Sequence, residues 1–465
     1  MSSATAVVFD PGIMQRYDKE GPRYTSYPSA RQFHGGLAAD AYETAASTST
    51  GALAGDPLSL YVHLPFCSSP CFYCGCNKVI TRDVGRAETY LRHLLDEVGF
   101  RSAYFDRERV VEQLHLGGGT PTFLPKHLLT ALLDRLGRDF RLMDSDDRDY
   151  SVEIDPRGTG PDMLELLAAL GFNRISLGVQ DFDDAVQRAV NRVQSPAMVA
   201  AVYDEARRLG FRSINFDLIY GLPRQTLATF GATLDRVIGM RPDRLAVYGY
   251  AHMPRLFKAQ RQIRSTDLPN AATRLALLQL TVDRLCSAGY VYIGMDHFAL
   301  PEDGLAKARE NGTLHRSFQG YTTHANRDLV SFGVSAIGQV GDLYVQNHKS
   351  VPDYEDAIAS GSLPSHQGVR MSTDDRIRKD VINRLMCHGH VDFAVVEARF
   401  GIGFHDYFAR ELEQLHSQRA DGLVDFDGSR IDLTPVGRLL MRNVAMTFDA
   451  YLATQAERPV MSRVI

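Results

Sequence analysis

Short apolar runs with strand character recur along the first half of the chain: LSLYVHLP from Leu58, VEQLHLGGG from Val111, YSVEIDP from Tyr150, RISLGVQ from Arg174, SINFDLIYGLP from Ser213 and DRLAVYGYAH from Asp243. Between them lie stretches with helical spacing, such as AETYLRHLLDEV, PKHLLTALLDRL, DMLELLAAL, AMVAAVYDEARRL and LATFGATLDRVI. Near-continuous apolar strands alternating with amphipathic helices predict a parallel sheet covered by helices. Six such units in about two hundred residues suit an open, partial (β/α)6 barrel better than a closed eight-stranded one. Nearly every strand ends in chemically unusual residues: HLPFC, GGGTPT, EIDPR, GVQDF, YGLP, YAH. Parallel α/β architectures carry their sites at the carboxyl ends of the strands, so these segments are expected around one mouth.

The pattern changes after about Arg370. Helical stretches are predicted over Asp374 to Met386, Phe393 to Phe400 and Asp406 to Leu415. They lead to LVDFDGSRIDLT, a hairpin with Asp427-Gly428 at its turn. Thr434-Pro435 is expected to cap a final helix, with proline at its first position. This order predicts a small, mainly helical, winged-helix-like domain over 366–465, serving as a lid or packing unit. Residues 51–365 are assigned to the barrel and its extension. Residues 1–50, with the turn-rich aromatic segment PRYTSYPSA, read as an arm without its own core.

Composition narrows the possibilities. The 465 residues are 44% hydrophobic and 23% charged, which is ordinary globular usage. A net charge of -5 disfavours general nucleic-acid binding, which needs an excess of Lys and Arg. No apolar run reaches membrane-span length, and the N-terminus lacks a basic start and apolar stretch, so a cytosolic location is expected. Of six cysteines, Cys67, Cys71, Cys74 and Cys76 cluster, while Cys286 and Cys387 follow helical runs and are expected to be buried and inert. Clustered thiols in a reducing compartment indicate metal or redox chemistry rather than disulfides.

Cys67-x-x-x-Cys71-x-x-Cys74 leaves the first predicted strand in a loop containing Pro65, Pro70 and Gly75. Three thiolates at this spacing can hold three corners of a [4Fe-4S] cluster, leaving one iron open to the amino and carboxylate groups of S-adenosylmethionine. A structural zinc knuckle is the alternative, but it usually needs a second ligand pair at regular spacing. Cys76 is expected not to be a ligand. Gly117 to Thr122, GGGTPT, permit close backbone approach, and their amides or carbonyls are candidates to grip the methionine end of a cofactor. Glu153 is placed to accept from a ribose or amino group, unless it is a capping carboxylate. Gln180, Arg192 and Asp217 occupy strand-end or loop positions suited to a second polar site.

Together these residues resemble the oxygen-independent coproporphyrinogen III oxidases, radical S-adenosylmethionine enzymes of haem biosynthesis. The likeness runs almost end to end. It rests on PRYTSYP, SLYVHLPFC, CFYCGCNK, LHLGGGTPT, VEIDPR, GFNRISLGVQDF, FDLIYGLPRQT, YAHMPRLFKAQR, YIGMDHFA, HRSFQGYTTH, GVSAIG and the terminal SRVI. The resemblance implies a radical SAM barrel with Cys67, Cys71 and Cys74 as cluster ligands. It implies a first S-adenosylmethionine at Tyr61, Gly118, Glu153 and Ile337, and a second at Gly119, Thr120, Gln180, Arg192, Asp217 and Ala251. Cys76, His63 and Gln319 are its candidate catalytic residues.

The implied reaction converts two propionates of coproporphyrinogen III to vinyl groups, giving protoporphyrinogen IX. An unidentified donor feeds the cluster and an unidentified acceptor takes the last electron; a monomer is expected. Four propionates make the substrate an anion, so Arg16 and Arg23 in the arm are candidate clamps. The rival reading is a haem-binding carrier of the same superfamily. Carriers typically have Phe at the position of Cys76, a late motif with Trp, and no such arm; this chain has Cys76, PRYTSYP and no Trp. A methyl- or methylthio-transferring enzyme would need a further cysteine set or accessory domain, and neither is visible.

Overall fold

The structure, a computed structural model, describes residues 7–37, 40–52, 55–325, 327–454 and 463. The first six residues, and Ser462, Val464 and Ile465 of the terminal SRVI, lie outside the described residues. The six expected strands form: β1 (Leu58–Leu64), β2 (Val110–Gly118), β3 (Asp149–Ile154), β4 (Arg174–Gln180), β5 (Ser213–Tyr220) and β6 (Arg244–Gly249). They pair in parallel in chain order, so their carboxyl ends share one rim.

The sheet continues past both edges. Beyond β6 lie β8 (His297–Ala299) and then β7 (Val291–Gly294). Beyond β1 lie β9 (Asp328–Phe332), parallel to it, then β10 (Ile337–Val340), β11 (Leu343–Asn347) and β12 (Ser365–Arg370), each antiparallel to its predecessor.

The outer face is covered by helices such as Val84–Ser102, Lys126–Asp139, Pro161–Ala169, Pro196–Arg208 and Leu227–Met240. Their apolar stripes meet the apolar strand positions: Leu91, Leu94 and Val98 on one helix, Leu129, Leu132 and Leu136 on the next. Several strands are more two-faced than their sequences suggest. In β4 every second residue is buried, and the alternate positions Arg174 and Ser176 line the barrel interior with Ser151, Asn215 and Asp217. A strand whose inner face lines a polar site needs apolar residues only at the outward positions.

The C-terminal part has helices Thr373–Cys387, Phe393–Phe400, Phe404–Tyr407 and Ala409–Ala420, and the expected hairpin of β14 (Val424–Phe426) and β15 (Arg430–Leu433). A strand that the sequence reading passed over, β13 (His390–Asp392), pairs with β15 and completes a small three-stranded sheet. The expected helix from Thr434-Pro435 is corrected. Residues 435–440 are turns, and a regular helix begins only at Met441–Ala445. Thr434 Oγ1 does accept from the Gly437 amide, at 3.0 Å. A Cβ on Gly437 would lie 1.8 Å from the Leu423 carbonyl oxygen, so this backbone is pressed against the hairpin rather than wound freely.

The N-terminal segment is buried in the common core through Met14, Tyr24 and Tyr27. Cys387 is buried and Cys286 half-buried; burial pushes their thiols up to about 12 and about 11.

Candidate active site at the barrel mouth

β1 delivers two side chains inward. Tyr61 and His63, two residues apart, share a face, and the Tyr61 hydroxyl lies 3.0 Å from His63 Nδ1. The His63 Nε2 sits 3.0 Å from the Asn77 carbonyl oxygen, and burial holds the ring's pKa below the usual imidazole value. On the neighbouring strand His115 stacks on Tyr61, with ring centres 5.8 Å apart and planes at 14°. His115 Nδ1 meets Ser151 Oγ at 2.7 Å and Nε2 faces Glu153 Oε1 at 3.4 Å. Burial works to raise the Glu153 pKa, but the His115 hydrogen bond and charge, the Gly118 amide at 3.1 Å and His63 hold it below the usual carboxylate range.

Tyr61, His63, His115 and Glu153 line a cavity of about 320 Å³ together with Cys76, Gly118, Gln319 and Ile337. All four residues of the first implied S-adenosylmethionine set, and all three candidate catalytic residues, therefore face one space.

A second cavity of about 270 Å³ opens beside it, lined by Cys67, Cys71 and Cys74 with Gly119, Thr120, Gln180, Arg192 and Asp217. Gly118, Glu153 and Cys76 border both. Of the second set only Ala251 lies apart from this lining; its carbonyl accepts from Gln260 Nε2 at 3.2 Å. Asp217, bonded to Ser176 Oγ and Asn215 Nδ2 at 2.9 Å each, is pushed up to about 6, chiefly by burial.

The glycine run plays a different part from the one expected of its amides. Gly118 donates to Glu153, Gly119 to the Leu64 carbonyl and Thr120 to the Phe66 carbonyl, the last two at 2.8 Å. The amides thus splice the end of β2 to the cysteine loop and are not free for a ligand. Gly118 has φ of 109°, and a Cβ on Gly119 would fall 2.6 Å from the Pro65 carbonyl carbon.

Arg192, a candidate from the sequence, surrounds the thiols together with Arg157 and Asp155, which the sequence did not single out. Arg157 Nη2 and Arg192 Nη1 each lie 3.5 Å from Cys71 Sγ. Asp155 Oδ2 bridges the two guanidinium groups, at 2.6 and 3.1 Å. The strand-end segment EIDPR was the available signal, and for His115 it was the period of two that carries its side chain inward with Gly117. Thr120 Oγ1 approaches Cys67 Sγ at 3.5 Å, while burial pushes the Cys67 thiol up to about 11. The Cys74 thiol is held down at about 6, first by its hydrogen bond with Cys76 and, against the effect of burial, by the Lys78 ammonium. That same hydrogen bond is the main reason the Cys76 thiol is raised.

The arm's arginines are engaged within the protein. Arg16 pairs with Asp421 of the C-terminal part, and Arg23 pairs with Asp296 at 2.9 Å, near Tyr248.

Comparison with known proteins completes this picture. Residues 61–237 match the Radical SAM superfamily and 371–440 the HemN C-terminal domain. The oxygen-independent coproporphyrinogen III oxidase of Pseudomonas aeruginosa is 50% identical, over 98% of this chain and 99% of its own. That of Salmonella typhimurium is 46% identical over the full length of both. The chain belongs to the oxygen-independent coproporphyrinogen III oxidase family. A solved structure described as "Coproporphyrinogen III oxidase (HemN) from Escherichia coli is a Radical SAM enzyme" superposes with a TM-score of 0.91 at 44% identity, covering 96% of this chain and 100% of that one.

Members of this family use a [4Fe-4S] cluster and S-adenosylmethionine, and the donor set here fits them. Three thiols on one loop are arranged around a cavity, with two guanidinium groups, a hydroxyl and an ammonium to balance thiolate charge. Among the described residues no three His, Cys, Asp or Glu side chains close on a single point as they would around one ion. No helix is long and apolar enough to cross a membrane among the residues described.

Proposed function

We propose that this chain catalyses the oxidative decarboxylation of coproporphyrinogen III to protoporphyrinogen IX in the cytoplasm, as a monomer. In this reading the 1–50 arm, the 51–365 barrel with its extension and the 366–465 C-terminal unit jointly enclose the substrate. Cys67, Cys71 and Cys74 hold the cluster. Tyr61, Gly118, Glu153 and Ile337 contact one S-adenosylmethionine. Gly119, Thr120, Gln180, Arg192, Asp217 and Ala251 contact a second, with Ala251 supported least because it lies outside the lining of the cavity. When bound, the reduced cluster and S-adenosylmethionine supply a carbon radical able to take hydrogen from an unactivated C–H bond, which no acid–base pair can do.

The observation that carries the reading is the pair of adjoining cavities, one lined by the three thiols and both bordered by Glu153 and Gly118. Each propionate must lose one hydrogen atom from its β-carbon, one carbon dioxide and one electron to become a vinyl group. The chain's part is to hold, orient and shield. Tyr61, clamped between His63 and His115, offers a fixed aromatic wall. Glu153, kept ionised, accepts from an ammonium or hydroxyl. Cys76, His63 and Gln319 line the same cavity and are the side chains proposed to touch the reacting propionate; the donor and final acceptor are outside proteins or small molecules of unassigned identity.

The test is stoichiometric. Anaerobically reconstituted protein given coproporphyrinogen III should yield two methionines, two 5′-deoxyadenosines and two carbon dioxides per protoporphyrinogen IX, read by chromatography. A ratio of one 5′-deoxyadenosine per fully converted substrate would defeat the two-cofactor reading.

A further inference from the structure

Helix Thr373–Cys387 faces a chamber of about 640 Å³, larger than either cavity at the mouth. Arg376, Lys379 and Arg384, at spacings of three to five residues, lie on one side of that helix and line it with Arg399. Asp380 is the one acid in this lining, and it is already committed to Arg384 at 2.6 Å and Arg399 at 2.5 Å. Arg376 donates to Thr373 Oγ1 at 3.1 Å, and the Lys379 ammonium to Gln339 Oε1 at 2.8 Å. Neither has a carboxylate partner among the described residues. An ammonium set back from solvent with only a neutral acceptor is costly to keep charged. Burial, followed by Arg399, accordingly brings Lys379 down to about 7. No carboxylate among the described residues offsets this cost; only the Gln339 oxygen and the Tyr344 ring do so in part.

The chamber adjoins the reaction cavity. Ile337 and Gln339 point to the same face of β10, about 7 Å apart along the strand; Ile337 borders the cavity of Tyr61 and Glu153, and Gln339 borders the chamber. The hairpin 315–322 repeats the relation, with His315 in the chamber and Phe318 and Gln319 in the reaction cavity. At the junction Phe33 of the arm, Phe318 and Tyr344 pack with ring centres 5.7 to 6.2 Å apart, and Lys379 lies 5.0 Å over the Tyr344 ring.

We propose that this chamber binds propionate carboxylates of the tetrapyrrole that are not at the reaction centre, with Lys379 and Arg376 as their cationic partners. The inference rests on the substrate reading above. Only one of the four carboxylates reacts at a time, so the others must be held elsewhere, and an unneutralised basic chamber one strand-repeat from the reaction cavity is suited to them.

The test is a fluorescence titration of the full-length protein with coproporphyrin III, the oxidised tetracarboxylate, and with a porphyrin bearing two propionates. Arg376→Gln and Lys379→Gln, each checked for an unchanged thermal midpoint, should weaken coproporphyrin III binding about tenfold, as expected for one charge-assisted contact. The double variant should lose the preference for four carboxylates over two, and its KM for the reduced substrate should rise. Wild-type binding of coproporphyrin III with no loss in the double variant would overturn the chamber assignment and leave the substrate reading standing. Equal displacement of the porphyrin by millimolar phosphate would also overturn it, as the mark of a general anion site. A wild-type protein that binds no coproporphyrin III would instead remove the substrate reading itself.

Discussion

Asp217 shows how much of this site's chemistry depends on single side chains. Two residues after Asn215 on the inward face of β5, it is a carboxyl whose folded pKa of about 6 lies above the ordinary value near 4. The folded protein therefore binds more protons than the unfolded chain between about pH 4 and pH 6, and stability falls as pH rises through that window. Above it the penalty stays constant. Asp217→Asn, which cannot ionise, should show a thermal midpoint advantage over the parent that grows from pH 5 to pH 7 and then levels off. Solvent in the cavity limits the effect to roughly 1 kcal/mol. An advantage independent of pH would mean that shape, not charge, is responsible. Cys71, which lines the same cavity, has its sulfur 3.5 Å from both the Arg157 and the Arg192 guanidinium groups.

At the scale of elements, the junction between β2 and the cysteine loop decides where the thiols sit. The amides of Gly119 and Thr120 reach the carbonyls of Leu64 and Phe66, so the loop is pinned by backbone bonds on the side of Cys67. On the other side Val79 donates to Pro65 and Thr81 to Cys67, closing the loop on itself. Gly119→Ala should cost about 1–3 kcal/mol, because the added Cβ meets backbone atoms of Pro65 and Phe66 rather than a side chain that could swing away. Denaturant unfolding measures the cost, and iron content after reconstitution reports whether the thiols still converge. Normal stability with a full iron complement would show that the splice tolerates displacement. The triad, the glycine run and the strand preceding each were legible from the sequence, since spacing within a loop is local information. That the amides of this run are already bonded was not, because the partners of Gly119 and Thr120 lie more than fifty residues upstream and that of Gly118 lies 35 downstream.

The whole molecule is tied together by its first residues. Arg442, buried in the C-terminal part, donates to the carbonyls of Pro22 and Gly21, at 3.1 and 2.7 Å. Arg316 donates to the Tyr24 and Arg23 carbonyls, and the Tyr24 hydroxyl to Asp449 at 2.9 Å. Arg23 itself pairs with Asp296 on the turn between β7 and β8. The arm is thus a strap joining barrel edge and C-terminal helices. Arg442→Ala removes the donors to the Gly21, Pro22 and Arg463 carbonyls and leaves a void, at a cost of about 3 kcal/mol. Trypsin should then cut after Arg23 at least tenfold faster than in the parent, as mass spectrometry of early digests would show. An unchanged rate would mean that the strap is held by its aromatic side chains alone.

The amino-acid sequence by itself determined the parallel strands with their covering helices, the rim where unusual residues gather, and the cysteine triad. Each depends on periodicity or on neighbours a few positions apart, which local backbone geometry converts directly into structure. Only the tertiary structure decided that Arg157 and Arg192, bridged by Asp155, converge on Cys71, that His115 stacks on Tyr61, and that one basic helix face of the C-terminal part opens beside the reaction cavity. Those contacts join residues tens to hundreds of positions apart, and their distances follow from strand order and packing, which no local pattern specifies. The final turns at 435–440 carry the same lesson. Proline and a capping threonine announce a helix, but the pressure of Gly437 against the Leu423 carbonyl sets the path the backbone takes.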